Sequence, residues 1–212
     1  MSKRGSFITF EGMDGSGKTT QRLRLAARLR ALGKTVLETA EPGGTRIGTQ
    51  IRRILLDSAN QELSPSAELL LYFASRAQNV DEWIKPALAR SEIVLADRFT
   101  DSSVVYQGYG RGLGVENVLA LDRIACRGLT PDLTILLDID AETSLERARS
   151  RNLAETSRET RMDEQSLEFH RRVYAAYHEL AGREAKRVKV IPGDAPAAEV
   201  EQAVWELASA YV

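Results

Sequence analysis

Apolar positions along the chain fall into two kinds of run. Short stretches rich in branched residues recur at Ser6 to Glu11, Thr35 to Thr39, Ile93 to Ala96, Leu133 to Ile139 and Val188 to Ile191, a length and composition that predict buried strands. Between them lie longer stretches with apolar residues at helical spacing: Thr19 to Leu32, Gly48 to Asp57, Ser64 to Arg90, Val115 to Arg127, Ala141 to Arg151, Glu164 to Arg183 and Ala197 to Tyr211. Alternation of this kind requires parallel strands joined by right-handed helical crossovers, so the expected fold is α/β, an open five-stranded parallel sheet with helices on both faces. Ligands of such sheets sit at the carboxyl ends of the strands. That rule directs attention to three strand exits: Glu11 onward, Glu41 to Thr45, and Asp97-Arg98. No internal repeat, low-complexity tract or linker interrupts the pattern, and residues 1–212 read as one domain.

Composition narrows the field. With 43% hydrophobic residues over 212 positions, the chain can bury a sizeable core. Its 29 Lys and Arg against 30 Asp and Glu give a net charge of -1, which provides no general attraction to nucleic acid or to an anionic membrane. The lone cysteine, Cys126, cannot form an internal disulfide, and the opening residues MSKRGSFITFEG turn polar too early for a signal peptide. A cytoplasmic protein is expected. No apolar run approaches the roughly 20 residues that span a bilayer.

Gly12-Met13-Asp14-Gly15-Ser16-Gly17-Lys18-Thr19 fits G-x-x-x-x-G-K-[ST], following an expected strand and opening an expected helix. The chemistry explains the pattern. Glycines let successive backbone N–H groups turn inward at phosphate oxygens, and the helix start adds partial positive charge. Lys18 is placed to neutralise the β- and γ-phosphates, and the Thr19 hydroxyl to ligate Mg²⁺. The expected co-substrate is ATP with Mg²⁺. A signalling GTPase would carry an Asn-Lys-x-Asp segment for guanine, and none occurs.

A second anion would need its own cations. After the second strand comes Glu41-Pro42-Gly43-Gly44-Thr45-Arg46, with Arg52 and Arg53 on the next helix, and after the third comes Asp97-Arg98-Phe99. Arginine's planar fork suits bidentate contact with phosphate, which makes Arg52 and Arg98 candidates. Asp97, at a strand's carboxyl end, either holds Mg²⁺ through water or pairs with Arg98.

The run Phe10-Glu11-Gly12-Met13-Asp14-Gly15-Ser16-Gly17-Lys18-Thr19-Thr20-Gln21, then Glu41 to Thr45, then Asp97-Arg98-Phe99 continuing to Ser102 and Tyr106-Gln107-Gly108, resembles the thymidylate kinase family over nearly the whole chain. The resemblance implies a P-loop nucleoside-monophosphate-kinase fold and transfer of the ATP γ-phosphate to dTMP, giving dTDP for dTTP synthesis, in a homodimer. It matches Arg76 to the arginine that reads the thymine O4 and Tyr72, usually phenylalanine in the family, to the base-stacking position. Neighbouring Phe73 competes for that role, although a helix turns the two apart by about 100°. Glu41 and Gln107 fall with the acceptor-side motifs, Ser102 and Ser103 where the family meets the base edge, and Tyr106 beneath the deoxyribose. Asp14 matches a carboxylate that reaches toward the acceptor's 3′-hydroxyl.

The resemblance also places a lid at about residues 147 to 162. Residues 147 to 161 carry five arginines around a polar centre, and such a segment can bring positive charge to the transferred phosphoryl while excluding water. Where the family shows Asp-Arg-Ile-Glu this chain has Thr160-Arg161-Met162-Asp163, which keeps the arginine and alters both flanking acids. The loop has Gly15 where some members place an arginine, so the catalytic arginine is expected from Arg151, Arg158 and Arg161 together. Arg151 is a candidate to stack on adenine, with phosphate contact falling to Arg158 or Arg161. His170 and His178, in one helical stretch, are expected at the surface or an interface. The alternatives are a kinase for another monophosphate or deoxynucleoside, and an ATP-dependent switch protein without a small acceptor.

Overall fold

Five parallel strands form one sheet: β1 (Phe7–Glu11), β2 (Val36–Ala40), β3 (Ile93–Asp97), β4 (Leu133–Asp138) and β5 (Val188–Pro192), in the order β2-β3-β1-β4-β5. The computed structural model describes residues 4–155 and 158–212. These strands are the five runs expected above, displaced by no more than one residue at either end. β2 and β3 lie on one side of β1 and β4 and β5 on the other. The chain therefore reverses its course across the sheet around β1, where ligand crevices of open parallel sheets form.

Every residue of β1 is buried, and alternate side chains enter opposite faces. Phe7 joins a cluster with Leu69, Phe73, Val80 and Val118, whereas Ile8 and Phe10 pack with Leu25, Leu29, Val200 and Val204. The first cluster is closed by α3 (Pro65–Asn79) and α6 (Val115–Ala125), the second by α1 (Lys18–Ala31) and α9 (Ala197–Ala208). A third cluster, including Met13, Tyr106, Leu136, Phe169 and Tyr177, gathers under α8 (Leu167–Arg183).

Local chemistry sets the helix ends. Thr45 caps α2 (Arg46–Leu56) by accepting from Gly48 N at 3.0 Å, and Ser64 caps α3 with Pro65 in the first position. Helical backbone then continues past Asn79 through a widened π turn at Val80–Ile84 into α4 (Lys85–Ala89). Pro86 has no N–H to return to the preceding turn, and the wider turn absorbs that mismatch.

Three features depart from expectation. Residues 100–110, rich in β-branched residues and glycine, are helical: α5 (Thr100–Ser103) runs into a π-helical Val104–Gly110. Their propensity for helix is weak, and packing against α8 overrides it. Next, α7 (Ala141–Glu155) extends past Arg151 into the expected lid, because Arg, Leu, Ala and Glu sustain a helix without an apolar stripe. Positions 156 and 157 of that lid lie outside the described residues. Finally, His170 is buried beside Phe169, not at the surface, whereas His178 is exposed next to Asp138.

Candidate active site

The turn that leaves β1 can be built only with glycine at its start. Gly12 has φ +131°, and a Cβ there would stand 2.3 Å from the Leu137 carbonyl oxygen. Gly15, at φ +76°, would place its Cβ 2.6 Å from the Arg147 Cβ on α7. A side chain at position 15 therefore has no room unless α7 shifts. Asp14, Gly15, Gly17, Lys18 and Thr19 line a cavity of about 790 Å³ at the carboxyl edge of the sheet. Gly12, Met13 and Ser16 do not line it; Met13 and Ser16 are buried behind the loop, where they shape it.

Lys18 opens α1 with its Nζ donating to the Met13 carbonyl at 2.7 Å. Burial, reinforced by the nearby Arg98 charge, pushes its ammonium down to about 8. Thr19 Oγ1 donates to Asp97 Oδ2 at 2.6 Å. A hydroxyl and one carboxylate are hard oxygen donors of the kind Mg²⁺ accepts while keeping waters and phosphate oxygens in its remaining positions. Among the described residues no cluster of three or more His, Cys, Asp or Glu could cage a metal. The Thr19–Asp97 pair thus fits a cation shared with a bound phosphate. Asp97 does not pair with Arg98, which corrects that alternative.

Arg98 instead crosses to the phosphate loop. Its Nη2 donates to Asp14 Oδ1 at 2.9 Å, its Nη1 to Ser102 Oγ at 2.9 Å, and its guanidinium lies 5.0 Å from the centre of the Tyr106 ring. Burial alone would raise the Asp14 carboxyl, but Arg98 and then Lys18 hold it below the ordinary carboxylate range. Arg98 has a backbone φ of 71°, a conformation unfavourable for a side chain with a Cβ. Glu11 keeps the turn in place: it accepts from Phe99 N at 2.8 Å, Ser102 Oγ at 2.5 Å and Tyr177 Oη at 2.9 Å. Burial, with Asp101 nearby, pushes the Glu11 carboxyl up to about 7. Motif and spacing assign Glu11 no role, although a charged residue closing an apolar strand is a readable signal.

Arg76 stands on α3 at the opposite wall. Its Nε donates to Glu41 Oε2 at 2.6 Å, and its Nη2 to the Phe99 carbonyl at 3.1 Å and Ser103 Oγ at 3.0 Å. Phe73 and Phe99 flank the guanidinium at 4.5 and 5.2 Å. Nη1 is buried and has no protein partner, in a residue that lines the cavity. Such a donor calls for an acceptor. Glu41 therefore orients Arg76, with Asn79 Nδ2 donating to its other oxygen at 3.0 Å. Tyr72 lines the cavity and Phe73 does not. Ser102, Ser103, Tyr106 and Gln107 line it too, the last held by Glu68 Oε1 at 2.9 Å.

The expected lid arginines separate. Arg151 lines the cavity and reaches Asp163 Oδ2 at 3.2 Å. Arg158 is exposed and lies outside the cavity lining. Arg161 is a correction: it is 2% exposed, bound to the Leu55 carbonyl and paired through Nη2 with Glu68 at 2.7 Å. The fully buried Glu68 carboxylate needs compensating charge, which Arg161 and Arg111 supply. Arg161 thus anchors its segment beneath α2 and does not reach the cavity. Arg52 does line the cavity, held by Glu159 at 2.7 Å and by the Pro42 carbonyl at 3.0 Å.

The chain resembles known proteins over almost its whole length. The family model described as thymidylate kinase matches residues 10–204. The thymidylate kinase of Pelobacter propionicus is 50% identical over 201 residues, covering 94% of this chain and 92% of its own. That of Deinococcus radiodurans is 47% identical, with 97% of each chain covered. Among solved structures, the crystal structure of thymidylate kinase from Ehrlichia chaffeensis superposes with a TM-score of 0.77 at 32% identity, covering 96% of this chain and 98% of that one.

Proposed function

The chain belongs to the thymidylate kinase family and phosphorylates dTMP with ATP as co-substrate and Mg²⁺, and from that premise we propose how its own residues divide the work. The observation that carries the reading is the Asp14–Arg98 contact at 2.9 Å, which joins the phosphate loop to the arginine-bearing exit of β3 inside one cavity. The donor's phosphates lie along Asp14 to Thr19, with Lys18 against the β- and γ-oxygens. Thr19 and Asp97 would hold Mg²⁺, which would supply screening of the charge on the β- and γ-phosphates. The acceptor's phosphate faces Arg98 and Arg52. Its base lies against Tyr72, with the spare Nη1 of Arg76 directed to a base oxygen, and its sugar rests over Tyr106 with Asp14 toward the 3′-hydroxyl.

The acceptor is already an anionic phosphate and needs no strong general base. Catalysis then rests on in-line alignment and preorganised positive charge. Arg151, the arginine of the 147–161 segment that lines the cavity, supplies the closing cation, a role whose loss costs on the order of 10³ in rate. The test of base reading is ADP release across dTMP, dUMP and dCMP with Arg76→Ala beside the parent. The expected result is loss of thymine preference with ATP binding retained; a parent that turns over dUMP or dCMP faster than dTMP would overturn the assignment.

We also read residues 1–212 as a single domain, since all three apolar clusters share one sheet, and the protein as a cytoplasmic homodimer. No helix among the described residues is long and apolar enough to cross a membrane, and cell fractionation tests the location. Support for the dimer comes from Ile54 on α2, Leu70 on α3, and Leu119 and Ile124 on α6, large apolar side chains left exposed.

A further inference from the structure

Each arginine lining the cavity has a carboxylate partner: Arg22 with Glu38, Arg98 with Asp14, Arg76 with Glu41, Arg151 with Asp163, and Arg52 with Glu159. The last pair differs in kind. Arg76 and Glu41 are 1% and 2% exposed, so separating them would strand buried charge. Arg52 and Glu159 are 35% and 36% exposed, and such a pair opens at little cost. Arg52 gives both Nε, at 2.8 Å, and Nη2, at 2.7 Å, to the same Glu159 oxygen, while Nη1 holds the Pro42 carbonyl. The guanidinium edge that would grip a phosphate oxyanion is thus the edge Glu159 occupies. Glu159 itself lines the cavity, so a phosphate bound at Arg52 beside it would meet like charge at close range.

We infer that Glu159 is a displaceable internal counter-ion of Arg52, a carboxylate standing where the acceptor's phosphate binds and setting how tightly a monophosphate is held. The inference rests on the reading of Arg52 as an acceptor-phosphate ligand. It makes Glu159 a specificity-determining residue: an acceptor must bring its own anion to take the arginine over. A nucleoside without phosphate leaves the Arg52–Glu159 pair in place and gains nothing from its removal.

Calorimetric titration of dTMP and of thymidine into the full chain, Arg52→Ala, Glu159→Gln and the double variant tests it. Glu159→Gln keeps the side chain's size but removes its charge, and is expected to tighten dTMP binding by about two- to fivefold with thymidine binding unchanged. Arg52→Ala is expected to weaken dTMP binding, and adding Glu159→Gln to it to tighten binding less than the same substitution does in the parent. If Arg52→Ala weakens dTMP while Glu159→Gln leaves it unchanged or weaker, the inference falls and the Arg52 reading stands. If Arg52→Ala leaves dTMP binding intact, both fall. Equal tightening of dTMP and thymidine by Glu159→Gln would mark a structural effect and also overturn the inference.

Discussion

The charge of Lys18 depends strongly on its surroundings. Buried next to Arg98, its ammonium sits at about 8 in place of 10.5, and bound phosphates require the protonated form. In the free protein Lys18 is charged below that value and loses its proton above it, so ATP affinity should hold steady to about pH 8 and then fall by up to about tenfold per unit. Titration of a non-hydrolysable ATP analogue from pH 7 to 9.5 measures this. Lys18→Arg, whose charge is fixed, should remove the slope, and an unchanged parent affinity at pH 9.5 would contradict it. Residue chemistry was legible in the sequence where a motif fixes it, as at Gly12, Lys18 and Thr19. It was less legible for the carboxylates that hold the cations. Glu11 braces the Arg98 turn from β1, and Glu68 claims Arg161 across 93 positions of chain. Neither pairing has a local signature, because both partners meet only through the fold.

At the scale of elements, periodicity located every strand and most helices but could not assign residues 100–110, whose helix depends on α8 packing against it. The segment after α7 shows the same limit. Its arginines look equivalent in sequence, yet burial against Glu68 anchors Arg161 while α7 carries Arg151 to the cavity wall. Gly15 and α7 are matched in turn, since a side chain at that position would collide with Arg147. The exposed apolar residues of α2, α3 and α6 bear on assembly: a surface with Leu70 at 57% and Ile124 at 72% exposure is the kind a partner covers. Light scattering is expected to give a mass near twice the 23.5 kDa chain, moved toward one chain by Leu70→Glu. A one-chain mass for the parent at working concentration would contradict the dimer.

For the whole molecule, alternation of strand and helix was enough to predict a parallel sheet covered on both faces, because crossover chirality leaves few other arrangements. The strand order was not legible: the lateral position of β3 between β2 and β1 depends on which apolar faces meet. That position brings Asp97 and Arg98 beside the phosphate loop, and so creates one cavity lined by all three. ATP held by the loop is expected to react only with an acceptor seated in that same cavity. The most direct test is ADP release with saturating ATP and Mg²⁺, measured with and without dTMP. ADP release is expected to depend on dTMP and to be accompanied by equal dTDP; ADP formed at the same rate without any monophosphate would contradict a shared cavity.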